Sequence, residues 1–239
     1  MVSRRSGLAR IAAVAKNTFR ETVRERVLYN LVFFAILMTL SGLLLSRLSI
    51  RQDEKIVKDL GLAAMEIFGL LIAVFIGVGL VSKEIERRSL YPLLAKPLGR
   101  TEFLLGKLAG LALTLLVNVS VMTLGLYATL LATGRRADPL LLKAVFPIYL
   151  SLLLTVCVAL FFSTVTSHTL AAILTVGVVV AGRYADVVRN MQEVMPGAPG
   201  WLTRVLYTLM PNFHYFDFKN QIVYGDSVPT ATLAWVALY

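Results

Sequence analysis

Residues 60–82 read LGLAAMEIFGLLIAVFIGVGLVS, and this run decides the fold. It holds one charged side chain, Glu66, in 23 residues. At about 1.5 Å of rise per residue a helix of this length reaches about 34 Å, enough to cross roughly 30 Å of hydrocarbon. Working outward, residues 27–45, 108–131 and 144–164 pass the same test. A fifth run begins at Thr169 but is purely apolar only to Gly182, which is too short. Extending it to residues 169–188 restores the length and takes in Arg183 and Asp186, three apart on one face and able to pair. Residues 230–239 begin a further apolar run that reads as a truncated sixth span.

Composition agrees. Of 239 residues, 57% are hydrophobic and 16% charged, with a mean hydropathy of +0.75. Soluble domains carry about 45–50% apolar and about 25% charged residues. Ordinary soluble, disordered and disulfide-scaffold classes are therefore excluded. The single cysteine, Cys157, forms no intrachain disulfide, and with two histidines in all the sequence offers no metal site. The first 26 residues are polar and basic, so the first span reads as retained rather than as a cleaved signal.

The net charge of +10 is unevenly spread. Residues 1–26 hold Arg4, Arg5, Arg10, Lys16, Arg20, Arg24 and Arg26; residues 83–107 hold Lys83, Arg87, Arg88, Lys96, Arg100 and Lys107. Together with their carboxylates these two segments carry +8, leaving +2 for the rest. Basic residues collect on the cytoplasmic side, so both segments and the N-terminus are expected inside. Topology explains the charge without a nucleic-acid partner.

Two segments look amphipathic rather than spanning. In residues 1–26, Leu8, Ile11, Ala12, Ala15, Phe19 and Val23 recur at helical spacing, with Arg10, Lys16, Arg20 and Arg24 elsewhere on the wheel. That is the pattern of an interfacial helix in the headgroup plane. Within the outer loop 189–229, Trp201 to Met210 forms a half-length helix that Pro211 stops, followed by Phe213, Tyr215, Phe216 and Phe218. Aromatics at this density suit a membrane–water interface.

Candidate chemistry is sparse. Gly99 to Lys107 is not a P-loop, because six residues separate Gly99 from Gly106 and Leu108 follows the lysine. Gly77 and Gly79 read as helix-packing positions. His168 reads as a polar residue in a tight turn, and His214 has no neighbouring ligands. No local arrangement of Ser, His and Asp supports nucleophilic catalysis, so no catalytic residue is assigned. Glu66 and Asn118 are candidates for a transport pathway or for helix pairing, since polar groups inside a bilayer are costly unless partnered.

The segment from Ser82 to Lys107 then supplies a specific likeness. Glu86, Ser89, Leu90, Leu93, Leu94, Pro97, Arg100, Gly106 and Lys107 match, position by position, a signature of the ABC-2 type permeases. The chain resembles these membrane subunits of ATP-binding cassette transporters; Arg88, where the family often has Gly, and Pro92 are its departures. The subgroup containing the permease of nitrous oxide reductase maturation is the most similar, through Asn17 to Glu21 and Pro211 to Phe213.

The resemblance implies an all-α polytopic bundle of about six transmembrane helices, with an N-terminal interfacial helix and a short outer helical insert. It implies that Glu84, Ile85, Glu86, Arg87, Arg88, Leu90, Leu93 and Leu94 form a coupling helix docking on an ATP-binding cassette subunit. ATP and Mg would be bound by that subunit, with no cofactor on this chain. It further implies a dimer with a second copy or a homologous permease, and a multi-pass place in a bacterial or archaeal plasma membrane. A permease of this kind would be an exporter. A membrane scaffold or assembly protein is the alternative. An ion-coupled carrier is a weaker one, wanting more midplane ionisable groups than Glu66 alone.

Overall fold

The computed structural model describes residues 7–24, 33–34, 36–38, 53–86, 99–134, 138–185, 211–218 and 235. Among the described residues, five long α-helices carry the architecture: α1 (Gly7–Arg24), α2 (Asp53–Glu86), α3 (Arg100–Ala132), α4 (Leu141–Val165) and α5 (His168–Arg183). A 3-10 turn, Phe213–Phe216, follows. No strand occurs among the described residues. Among the described residues three helices are long and apolar enough to cross a membrane, α2, α3 and α4; α5 is a shorter apolar helix.

Helix α2 is central and packs on α4, α3 and α5. It runs beside α3 in the opposite direction and beside α4 in the same one. The glycines fix these approaches. Gly61 leaves room for Leu126 and Met38, and a methyl group at Gly69 would lie 2.6 Å from Leu152 Cδ1. One at Gly77 would lie 2.6 Å from Ala159 Cβ, so Gly77 serves helix packing. Around these points Leu62, Met65, Ile72, Leu111, Leu115, Met122, Leu126, Ile148 and Leu152 form one continuous buried core. Residues 33–34 and 36–38 are helical and join it through Phe34 and Met38, with Phe33 and Phe34 edge-on to Phe68.

Hydroxyls within the spans are mostly satisfied by their own helix. Thr114, Ser120, Thr123, Thr155 and Thr175 each donate to the carbonyl four residues earlier. This lets polar side chains sit in an apolar medium without an unmet donor. Ser163 and Tyr149 instead cross between helices, to the Val78 and Ala112 carbonyls at 3.1 and 3.2 Å.

Several sequence expectations change here. The span expected over 60–82 is a helix of 34 residues, and the one over 108–131 a helix of 33. Both therefore run into the segment 83–107, α2 taking in Glu84 to Glu86, where a coupling helix is expected to begin. Hydropathy reports where hydrocarbon lies, whereas the backbone stays helical through the flanking charged turns. Of the fifth span, expected over 169–188, residues His168–Arg183 form α5, with a turn at Tyr184 and helix again at Ala185. There Gly182 abuts the Pro211 carbonyl and the Phe213 ring. Residues 186–188, 201–210, 230–234 and 236–239 lie outside the described residues, as does most of 27–45.

Candidate functional site

One end of the bundle gathers the elements that the sequence marks for docking. Among the described residues α2 runs to Glu86 and α3 begins at Arg100, while α4 and α5 turn at Thr166 and Ser167. His168 opens α5, and a methyl at Gly79 would lie 4.0 Å from its Cε1, so the turn borders the end of α2. Ser163 Oγ donating to the Val78 carbonyl fastens the same point. Of the expected coupling residues, Glu84, Ile85 and Glu86 form the last turn of α2. Arg87, Arg88, Leu90, Leu93 and Leu94 lie outside the described residues.

At this end α1 clamps the start of α3. Arg10 pairs with Glu102 at 3.1 Å, and the Gly99 N–H donates to the other Glu102 oxygen at 3.4 Å. A carboxylate in the first turn of α3 is also favoured by the positive end of the helix dipole. One turn on, a methyl at Gly106 would lie 2.7 Å from Val14 Cβ and 3.0 Å from the Ile11 carbonyl oxygen. One turn further, a methyl at Gly110 would lie 2.7 Å from both the Ala15 carbonyl oxygen and Thr18 Cβ. The helices advance in step, turn for turn, which is the close approach a Gly-x-x-x-Gly spacing permits. Thr18 and Thr22 are buried in this contact.

The face of α1 that packs differs from the apolar stripe expected from the sequence. Ile11, Val14, Ala15, Thr18 and Thr22 face α3, while Leu8 is 78% exposed and Ala12 is exposed. The packed face is offset by roughly a fifth of a turn, because side chains small enough to meet glycine decide it. The signal was in the sequence at Gly106 and Gly110. Lys107, between them, is buried with its ammonium 4.4 Å from the centre of the Phe103 ring.

The opposite end holds two further ion pairs among the described residues. Glu66 of α2, nearly buried, pairs with Arg183 at the end of α5. The described partner of Arg183 is thus 117 residues distant; Asp186, expected to pair with it, lies outside the described residues. Two turns towards the α2 start, Lys58 pairs with Asp138 at 3.4 Å, and Tyr127 donates to the Asp138 carbonyl at 2.9 Å. Phe213 and Phe216 turn inward against α4 and α5; Tyr215 is half exposed. Asn212 accepts from the His214 N–H at 3.1 Å.

Asn118 is not brought to Glu66. Its amide donates to the Thr114 carbonyl at 2.8 Å, and its buried Oδ1 has no hydrogen-bond partner among the described residues. Among the described residues no three His, Cys, Asp or Glu side chains converge to hold a metal ion.

Long apolar helices, a glycine-clamped N-terminal helix and a signature at the α2–α3 connection all bear on kinship. Residues 12–223 match the ABC-2 family transporter proteins. The chain belongs to that family. No curated protein matches it. As an ABC-2 protein it is a membrane-embedded permease subunit of an ABC transporter, a transport component working with an ATP-binding subunit. The matched residues run from within α1 past the 3-10 turn, so both ends of the bundle fall inside the family region.

Proposed function

We propose that this ABC-2 permease is the membrane half of an ATP-driven exporter in the plasma membrane of a bacterial or archaeal cell. The family match over residues 12–223 carries the reading. In it the α1 end faces the cytoplasm, the bias of basic residues in 1–26 and 83–107 being the ground for that orientation. Glu84 to Leu94 seats on a separate ATP-binding cassette subunit, which holds ATP and Mg. Ile85, Leu90, Leu93 and Leu94 supply an apolar edge, and Glu86 and Arg88 supply charges that fix register. Two copies, or this chain and a homologue, enclose the path, because one bundle of this size leaves little interior. Asn118 and the Glu66–Arg183 pair are the polar groups within the spans that such a path would meet. The likeness at Asn17 to Glu21 and Pro211 to Phe213 puts cargo for cofactor maturation first among substrates to test.

Reversing two charges, Glu86→Lys with Arg88→Glu, should lower recovery of the ATP-binding subunit on co-purification by about tenfold, the scale of a lost interfacial charge pair. Recovery equal to the unaltered chain would reject docking at this segment. In the intact complex, ATPase rate should rise on assembly; a scaffold would leave it unchanged.

A further inference from the structure

Helix α1 carries a ridge that the clamp onto α3 leaves uncovered. Lys16 and Arg20 are both exposed and four residues apart. Within the helix, the residues three and four away from Lys16 are Ala12, Ala13, Phe19 and Arg20; those around Arg20 are Lys16, Asn17, Val23 and Arg24. No carboxylate stands in either set. Like charges at this spacing destabilise an isolated helix. The lone α1 carboxylate, Glu21, points away from the ridge by about 100° from Arg20, and Arg10 is engaged by Glu102.

Depth identifies what neutralises the ridge. The register of α1 on α3 puts Thr18 against Gly110, so Lys16 and Arg20 stand level with about 108–112 of α3. Residues 108–132 of α3 contain no charged side chain, a stretch of about 37 Å set against roughly 30 Å of hydrocarbon. The charged residues of α3, Arg100, Glu102 and Lys107, all precede it. Lys16 and Arg20 therefore lie at the edge of the hydrocarbon, where lipid phosphates are. We infer that the Lys16–Arg20 ridge of α1 is a binding site for anionic phospholipid headgroups in the leaflet at the α1 end. Cations near an anionic leaflet are each favoured by a factor of roughly five. The α1–α3 clamp then ties that lipid contact to the start of α3. This needs the membrane fold but not the docking of an ATP-binding subunit.

The test uses the full chain in lipid nanodiscs. With Cys157→Ser, a bimane label is placed at Ala13→Cys, beside the ridge. Quenching by brominated phosphatidylglycerol is compared with that by brominated phosphatidylcholine at equal mole fraction. A preference for phosphatidylglycerol of roughly fivefold or more is expected. It should fall to parity with Lys16→Glu and Arg20→Glu. A label at Ser120→Cys, exposed in mid-span, should show no preference in either background and reports that the fold is retained. Equal quenching by the two lipids at Ala13→Cys would overturn the site. So would no quenching by either, which would leave the ridge to solvent or an acidic protein surface. Loss of the preference with millimolar inorganic phosphate would overturn it in favour of a free anion.

Discussion

Arg183→Ala will destabilise the folded chain by about 3 kcal/mol, the lower part of the range for removing one partner of a buried ion pair. The loss comes less from the missing contact than from what is left behind. Glu66 is 9% exposed, on a helix that crosses the membrane, and without the guanidinium its carboxylate has lost the counter-charge from α5. Arg183, about a third exposed, reaches back from the end of α5 to supply that charge. Glu66→Gln combined with Arg183→Met should recover most of the stability, since both charges leave together. Denaturant titration of the purified protein in detergent measures all three forms. A double variant as unstable as Arg183→Ala would show that the two residues act independently.

Gly110→Leu will release α1 from α3. Its first side-chain atom would meet a backbone oxygen, that of Ala15, and the Thr18 Cβ, both at 2.7 Å. A flexible neighbour could rotate aside, but a carbonyl in a helix moves only with the helix. The leucine costs about 3 kcal/mol or more at an interface built for hydrogen, on the scale of overpacked cores. Once detached, α1 can unfold locally, so trypsin cleavage at Arg10, Lys16 and Arg20 should accelerate by at least about tenfold, following the population of the detached state. Gly177→Leu is the control. No atom lies within 4 Å of a methyl at that position, so its digestion should match the unaltered protein. Equal cleavage of the two variants would mean that α1 is not held by the glycine face.

Spans were legible because a stretch of roughly twenty apolar residues is too long for most buried core helices and matches the thickness of hydrocarbon. Residues 60–82, 108–131 and 144–164 each lie within an observed helix. The helix ends were less legible. Asp53, Lys58, Glu86 and Arg100 are polar or charged, yet each continues a helix beyond the hydrophobic run. The ionic contacts had no local signal: Glu66 and Arg183 are separated by three helices' worth of chain, and Asp186 offered a nearer partner by spacing alone. The apolar stripe of α1 and its packed face differ because the wheel ranks residues by hydropathy. Contact with glycine ranks them by size, which brings Thr18 and Thr22 inward. The family signature was readable as sequence at Glu86 to Lys107, and its last two residues gain a physical role: Gly106 is the floor of the α1 contact, and Lys107 is covered beside Phe103.

Helix α2 has 34 residues, about 51 Å from end to end. The stretch 60–82, free of charge but for Glu66, takes up about 34 Å of that, against about 30 Å of hydrocarbon. The charged turns on either side of it therefore continue the same helix beyond the acyl chains. A tilt imposed at one end is then carried along the whole rod instead of being absorbed at a joint near the membrane surface.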